Sequence, residues 1–140
     1  SMGGGIAYSV AVITHDVKAF VLFAPVSPNV VDSYNKWLKE RPEVVEEVRQ
    51  AYGEPEQNPE FWAAISPITY FDFISAPIQI HHGTADKDVP LGWSESTVNR
   101  LRELGKQVEL FTYPNEPHEF IAAWPLVMQR TASFFRTNLQ

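Results

Sequence analysis

Hydrophobic and polar positions divide the chain into stretches of different rhythm. Ile6-Ala7-Tyr8-Ser9-Val10-Ala11-Val12 is apolar almost without interruption, which predicts a buried helix entered from Ser1-Met2-Gly3-Gly4-Gly5. Lys18-Ala19-Phe20-Val21-Leu22-Phe23 is a short run of β-formers stopped at Ala24-Pro25, and reads as a buried strand. The alternation resumes at Pro77. Residues 77–83 predict a strand, followed by a loop through Pro90 and a helix with Val98, Leu101 and Leu104 inward and Gly105 as its stop. Residues 107–113 predict the next strand, closed by Pro114. A last helix starts near Trp124-Pro125, with Val127, Thr131, Phe134 and Phe135 as its inner stripe. Strands separated by helices mean β-α-β units: an α/β fold with a mostly parallel sheet flanked by helices.

Residues 28–60 follow another pattern. Tyr34, Trp37 and Leu38 recur at helical spacing, as do Val44, Val45, Val48 and Tyr52. Pro42 suits a first helical turn and Gly53 a C-terminal stop. Eight acidic residues against four basic ones give the segment a solvated, acidic outer face. It reads as two short amphipathic helices, a cap-like insertion that is either a surface hairpin or a lid over an active site. Trp62, Trp93, Trp124 and the run Tyr70-Phe71-Asp72-Phe73 are expected to pack.

Composition narrows the partners. The 140 residues amount to one domain, spanning 1–140, and 44% hydrophobic content supports a real core. A net charge of -6 argues against a nucleic-acid surface. The absence of cysteine removes disulfides and thiolate chemistry, and fits a reducing compartment, so a cytoplasmic setting is expected. No apolar run is long enough to span a membrane, and no membrane partner is expected.

Reactive groups in such sheets gather in loops beyond the carboxyl ends of the strands. Residues 83–90 hold Asp86 and Asp88, and residues 114–120 hold His118 between Glu116 and Glu119. A carboxylate on one such loop can fix the tautomer of an imidazole on its neighbour and stabilise the imidazolium during proton transfer. Asp88 would serve a turn as well as Asp86 would. His81 and His82 suggest a metal site, but neighbours on a strand face opposite ways, so no metal and no cofactor is expected. His15 is expected to face solvent.

Several stretches carry a resemblance. Ser66-Pro67-Ile68, Pro77-Ile78-Gln79-Ile80-His81-His82-Gly83, Asp86, Val89 and Pro90 resemble the C-terminal region of prolyl-oligopeptidase-like α/β-hydrolases of the peptidase S9 type. So do Leu104-Gly105, Val108-Glu109-Leu110, Tyr113-Pro114 and His118-Glu119-Phe120. Ser1-Met2-Gly3-Gly4 looks like the second half of a G-x-S-x-G nucleophile elbow, in a superfamily whose triad runs Ser, Asp, His along the chain. The resemblance implies the C-terminal portion of an α/β-hydrolase catalytic domain, with Ser1 as nucleophile, Asp86 as triad acid and His118 as base. It also implies the backbone N–H of Met2 as one oxyanion donor, and a small acyl or peptide substrate.

Three departures accompany it. The strand and the Gly-x that precede the family's serine are not among these residues. The family's second oxyanion donor belongs to a loop outside them, and Glu119 stands where the family usually has glycine. Ser-Met is also what a cleaved purification tag leaves, so Ser1 has two origins open to it. Activity of these residues alone is expected to be low. The rival reading is non-enzymatic: a folded fragment or interaction module that forms homo-oligomers through an exposed sheet edge at residues 18–23.

Overall fold

The short apolar runs form a single parallel sheet in the computed structural model, which describes residues 1–140. Its strands are β1 (Phe20–Phe23), β2 (Ile78–Gly83) and β3 (Val108–Tyr113), in the order β1-β2-β3. Phe20 pairs with Ile78, and Ile78 in turn with Val108. Every residue of β2 is buried, as a strand covered on both faces must be.

Helices α1 (Met2–Ile13) and α5 (Leu91–Glu103) supply Tyr8, Ala11, Val98 and Leu101 to one core with Leu22, Ile78 and Ile80. Helix α6 (Trp124–Asn138) brings Val127 to a smaller cluster with Ala24, Tyr113 and Phe120. Gly105 adopts a φ of 68°, the left-handed turn expected past the end of α5.

Helix α1 corrects the expectation of a helix buried all round. Gly4, Tyr8 and Ala11 face inward, while Ile6 and Ile13 are 58% and 81% exposed, because the helix rests on the sheet by one face only. The aromatic run at 70–73 also splits: Phe71 is buried and Phe73 is mostly exposed. Trp62 is buried, whereas Trp124 is exposed with its ring 5.9 Å from that of Phe23.

The 28–60 segment departs in detail from two plain helices. It contains α2 (Val30–Ser33), a π-helical turn over Tyr34–Leu38, and α3 (Pro42–Tyr52), with α4 (Pro59–Ala64) at its end. Asn29 and Asn58 accept hydrogen bonds from Val31 N–H and Phe61 N–H, capping α2 and α4. Tyr34 is buried against Trp62, with ring centroids 4.8 Å apart. Helix α3 buries no residue fully. No helix is long and apolar enough to cross a membrane.

Candidate active site

The loops that leave β2 and β3 are fastened together by their backbones. Thr84 N–H donates to Tyr113 C=O and Ala85 N–H to Glu116 C=O, at 2.9 and 3.0 Å. Asn115 N–H donates to the Thr84 hydroxyl at 2.9 Å. A Cβ on Gly83 would lie 2.2 Å from the carbonyl oxygen of Glu116, so the crossing demands glycine. Glu116 is itself buried, and its carboxylate accepts Ala122 N–H at 3.0 Å. Phe120 is held at a φ of 55°, a strained conformation for a bulky residue, by burial against Phe23 and Tyr113.

This fastening sets Asp86 against His118. The Asp86 side chain is fully buried, and its Oδ1 accepts N–H groups from Asp88 and Val89, each at 2.9 Å. Its Oδ2 lies 2.7 Å from Nδ1 of His118, whose side chain is partly exposed. A carboxylate accepts here, so His118 carries its proton on Nδ1 and leaves Nε2 free as a base. Burial pushes the Asp86 pKa up, but the Val89 N–H, the His118 ring and the Asp88 N–H outweigh it. The net value lies below the ordinary one.

Of the two acids weighed for this place, the geometry selects Asp86. Asp88 is exposed, and its carboxylate makes no hydrogen bond to His118. Asp86, Asp88 and His118 do present ligand atoms within 4.8 Å of one another. Asp86 and His118 are already hydrogen-bonded to each other.

Ser1 occupies the N-cap of α1, exposed, with its hydroxyl making no capping bond. Its C=O accepts N–H groups from Gly4 at 3.0 Å and Val26 at 3.2 Å, and its amine donates to Phe23 C=O at 3.3 Å. Added Cβ atoms on Gly4 and Gly5 would each come within 2.5 Å of the Pro25 and Val26 side chains. The glycines therefore let the start of α1 sit on the chain leaving β1, and Ser1 falls at the same end of the sheet as Asp86 and His118. Burial lowers the pKa of the Ser1 amine, and the charge of Asp86 opposes that shift. No hydrogen bond joins the Ser1 hydroxyl to His118.

Sequence reasoning missed His82. Its ring is fully buried, with Nε2 3.2 Å from Oδ2 of Asp86 and 3.0 Å from the carbonyl of Val89. A buried histidine four residues before the acid was the available signal. His81 faces the other way, bonded to the Tyr113 hydroxyl and to Gln79. His15 is exposed beside Ser75.

Known proteins share this fold. The model of the prolyl oligopeptidase family matches residues 1–140. No curated protein matches the chain. Among solved structures, acylaminoacyl peptidase from Pyrococcus horikoshii superposes with a TM-score of 0.73 at 22% identity, over 97% of this chain and 22% of that one. Dipeptidyl peptidase 4 of Porphyromonas gingivalis gives 0.75 at 17% identity, over 97% and 18%. A butyrate-bound esterase, Est2 from Thermogutta terrifontis, gives 0.66 at 22% identity, over 96% and 53%. The chain thus spans about a fifth of the two peptidases and about half of the esterase. These likenesses identify the fold as the C-terminal portion of an α/β-hydrolase. With the family model matched from the first residue to the last, the chain belongs to the prolyl oligopeptidase family.

Proposed function

We propose that the chain carries the nucleophile, base and acid of a serine hydrolase acting on peptide, ester or related acyl bonds. The observation that carries this reading is the 2.7 Å contact between His118 Nδ1 and a buried Asp86 carboxylate whose other oxygen is already pinned. In the reaction, Ser1 Oγ attacks the acyl carbon while His118 Nε2 takes its proton. The tetrahedral oxyanion faces the Met2 N–H at the start of α1. His118 then protonates the leaving group, and water repeats the cycle to release the acid. The similar structures include two peptidases and an esterase, which supports the breadth of the substrate class.

Residues 28–60 are proposed as a cap that shapes the acyl pocket. Trp37 meets Trp93 edge to face at 5.4 Å, and Trp93 lies at the start of the helix that follows the Asp86 loop. Turnover by these 140 residues is expected to be low. A single missing oxyanion donor typically costs about 10²–10³ in rate. A fluorophosphonate probe with mass-spectrometric readout tests the assignment. Slow labelling of Ser1 is expected, abolished in Ser1→Ala and slowed in His118→Ala. Labelling elsewhere, or a rate indifferent to His118→Ala, would overturn it.

A further inference from the structure

His82 is buried deeply enough that packing alone would be served by any ring of its size. What it touches goes beyond packing. Nε2 faces two acceptors, the carbonyl of Val89 and Oδ2 of Asp86, so that nitrogen must carry the proton. Nδ1 lies 2.8 Å from the hydroxyl of Ser94, a buried residue of α5, and accepts its proton. Burial lowers the ring's pKa, which keeps it neutral and makes the tautomer the only variable.

Val89 is clamped from both sides. Its N–H donates to Oδ1 of Asp86, and its C=O receives Nε2–H of His82. Oδ2 of Asp86 bonds His118 and lies 3.2 Å from Nε2 of His82, whose N–H is directed at the Val89 carbonyl, while Oδ1 holds the turn. Two turn N–H groups on Oδ1 and the His118 ring on Oδ2 hold the carboxylate, and the His82 ring closes its remaining side at 3.2 Å while anchoring Val89.

We infer that His82 is a positioning residue for Asp86: its Nε2–H tautomer, selected by Ser94, holds the carboxylate in the orientation that His118 requires. The inference rests on the reading of Asp86 and His118 as acid and base. Its consequences are nevertheless visible without turnover. Removing the Nε2–H leaves the buried Val89 carbonyl unpaired and loosens the turn whose Val89 N–H holds Oδ1 of the carboxylate.

NMR of the 140-residue chain tests this, because four histidines give few ring signals. Long-range ¹H–¹⁵N ring spectra at neutral pH are expected to show His82 protonated on Nε2 and bare on Nδ1. The Nδ1 proton of His118 is expected as a slowly exchanging low-field signal. His82→Gln, which can keep a donor near the position of Nε2, should retain that signal. His82→Phe keeps the ring shape without the donor and should lose it. A residue that merely fills space predicts the opposite order, and that order would overturn the inference. So would a wild-type His82 protonated on Nδ1. Should His82→Phe fail to fold, Ser94→Ala leaves the ring in place and unlocks its tautomer. Broadening of the His118 signal is then expected, and an unchanged signal counts against the role. Failure of the serine to react with fluorophosphonate would leave all these readouts intact, so the two ideas fall separately.

Discussion

His81 and His82 are adjacent on β2, both fully buried, yet they belong to different parts of the molecule. Strand alternation turns His82 towards α5 and the Asp86 loop, and His81 towards α6. On the His81 side the network runs to Glu109 at the surface, away from the Asp86 loop. Nδ1 accepts from the Tyr113 hydroxyl at 2.7 Å, Nε2 donates to Gln79 at 2.8 Å, and Gln79 donates to Glu109 at 2.8 Å. The guanidinium of Arg130 sits over the Phe111 ring at 4.1 Å, and its charge adds to burial in lowering the His81 pKa to about 4. On the His82 side the network opens onto the carboxylate beside His118. Equal burial therefore says nothing about role; the partner at the end of each hydrogen-bond chain does.

The comparison breaks most visibly in reactivity. Asp86→Asn should slow fluorophosphonate labelling of Ser1 by about 10³–10⁴, because the amide no longer selects the reactive tautomer of His118. His81→Leu should leave the labelling rate within a few-fold. Equal losses in the two variants would erase the distinction.

A second effect belongs to His81 and appears in stability. Between pH 6.5 and about 4 the unfolded chain binds a proton that the folded ring refuses. Stability is then full above pH 6.5 and falls as the pH drops, by up to about 3 kcal/mol near pH 4. Urea unfolding at pH 7, 5.5 and 4 measures it. His81→Leu should reduce this dependence, leaving the part of the same sign that the buried His82 contributes, while costing about 1–3 kcal/mol at pH 7 for the partners left unpaired.

Gly83, which ends the same strand, couples both sides to the loops. Gly83→Ala forces a Cβ into the Glu116 carbonyl and should destabilise by about 1–3 kcal/mol, read as a lower thermal midpoint. The His118 low-field proton should broaden with it. An unshifted midpoint would show that the crossing yields more easily than its distances imply.

The smallest effect is expected at the open side of β1. Phe20 N–H donates to Pro77 C=O just before β2 and Ala24 N–H to His81 C=O within it, so the alternate residues Val21 and Phe23 turn their backbone groups outward. The Ser1 amine already occupies the Phe23 carbonyl, which leaves little free edge. Weak, concentration-dependent self-association is expected in sedimentation, reduced in Val21→Lys. A chain that stays monomeric at high concentration would remove the edge from consideration.

Much of this molecule was legible along the chain. Strand and helix periods foretold all three strands, α1, α5 and α6, because each period comes from local geometry that side chains must obey. The loops carrying Asp86 and His118 were legible for the same reason, since strand ends in a parallel sheet share one edge. The insertion was half legible: Tyr34, Trp37 and Leu38 have helical spacing, but a π-helical turn is settled by how Tyr34 seats on Trp62. Sequence could not separate Asp86 from Asp88 without a resemblance, because both suit a turn. Only tertiary structure decided it, by directing two turn N–H groups and the His118 imidazole at one carboxylate. Nor did the sequence tell that Ile6 would lie bare and Gly83 be crowded, or that His82 would lean on the acid. Each of those depends on which distant segment arrives within a few ångströms. Periodicity determines the elements and the end of the sheet where chemistry gathers; contact between segments far apart in the chain decides which side chains take part.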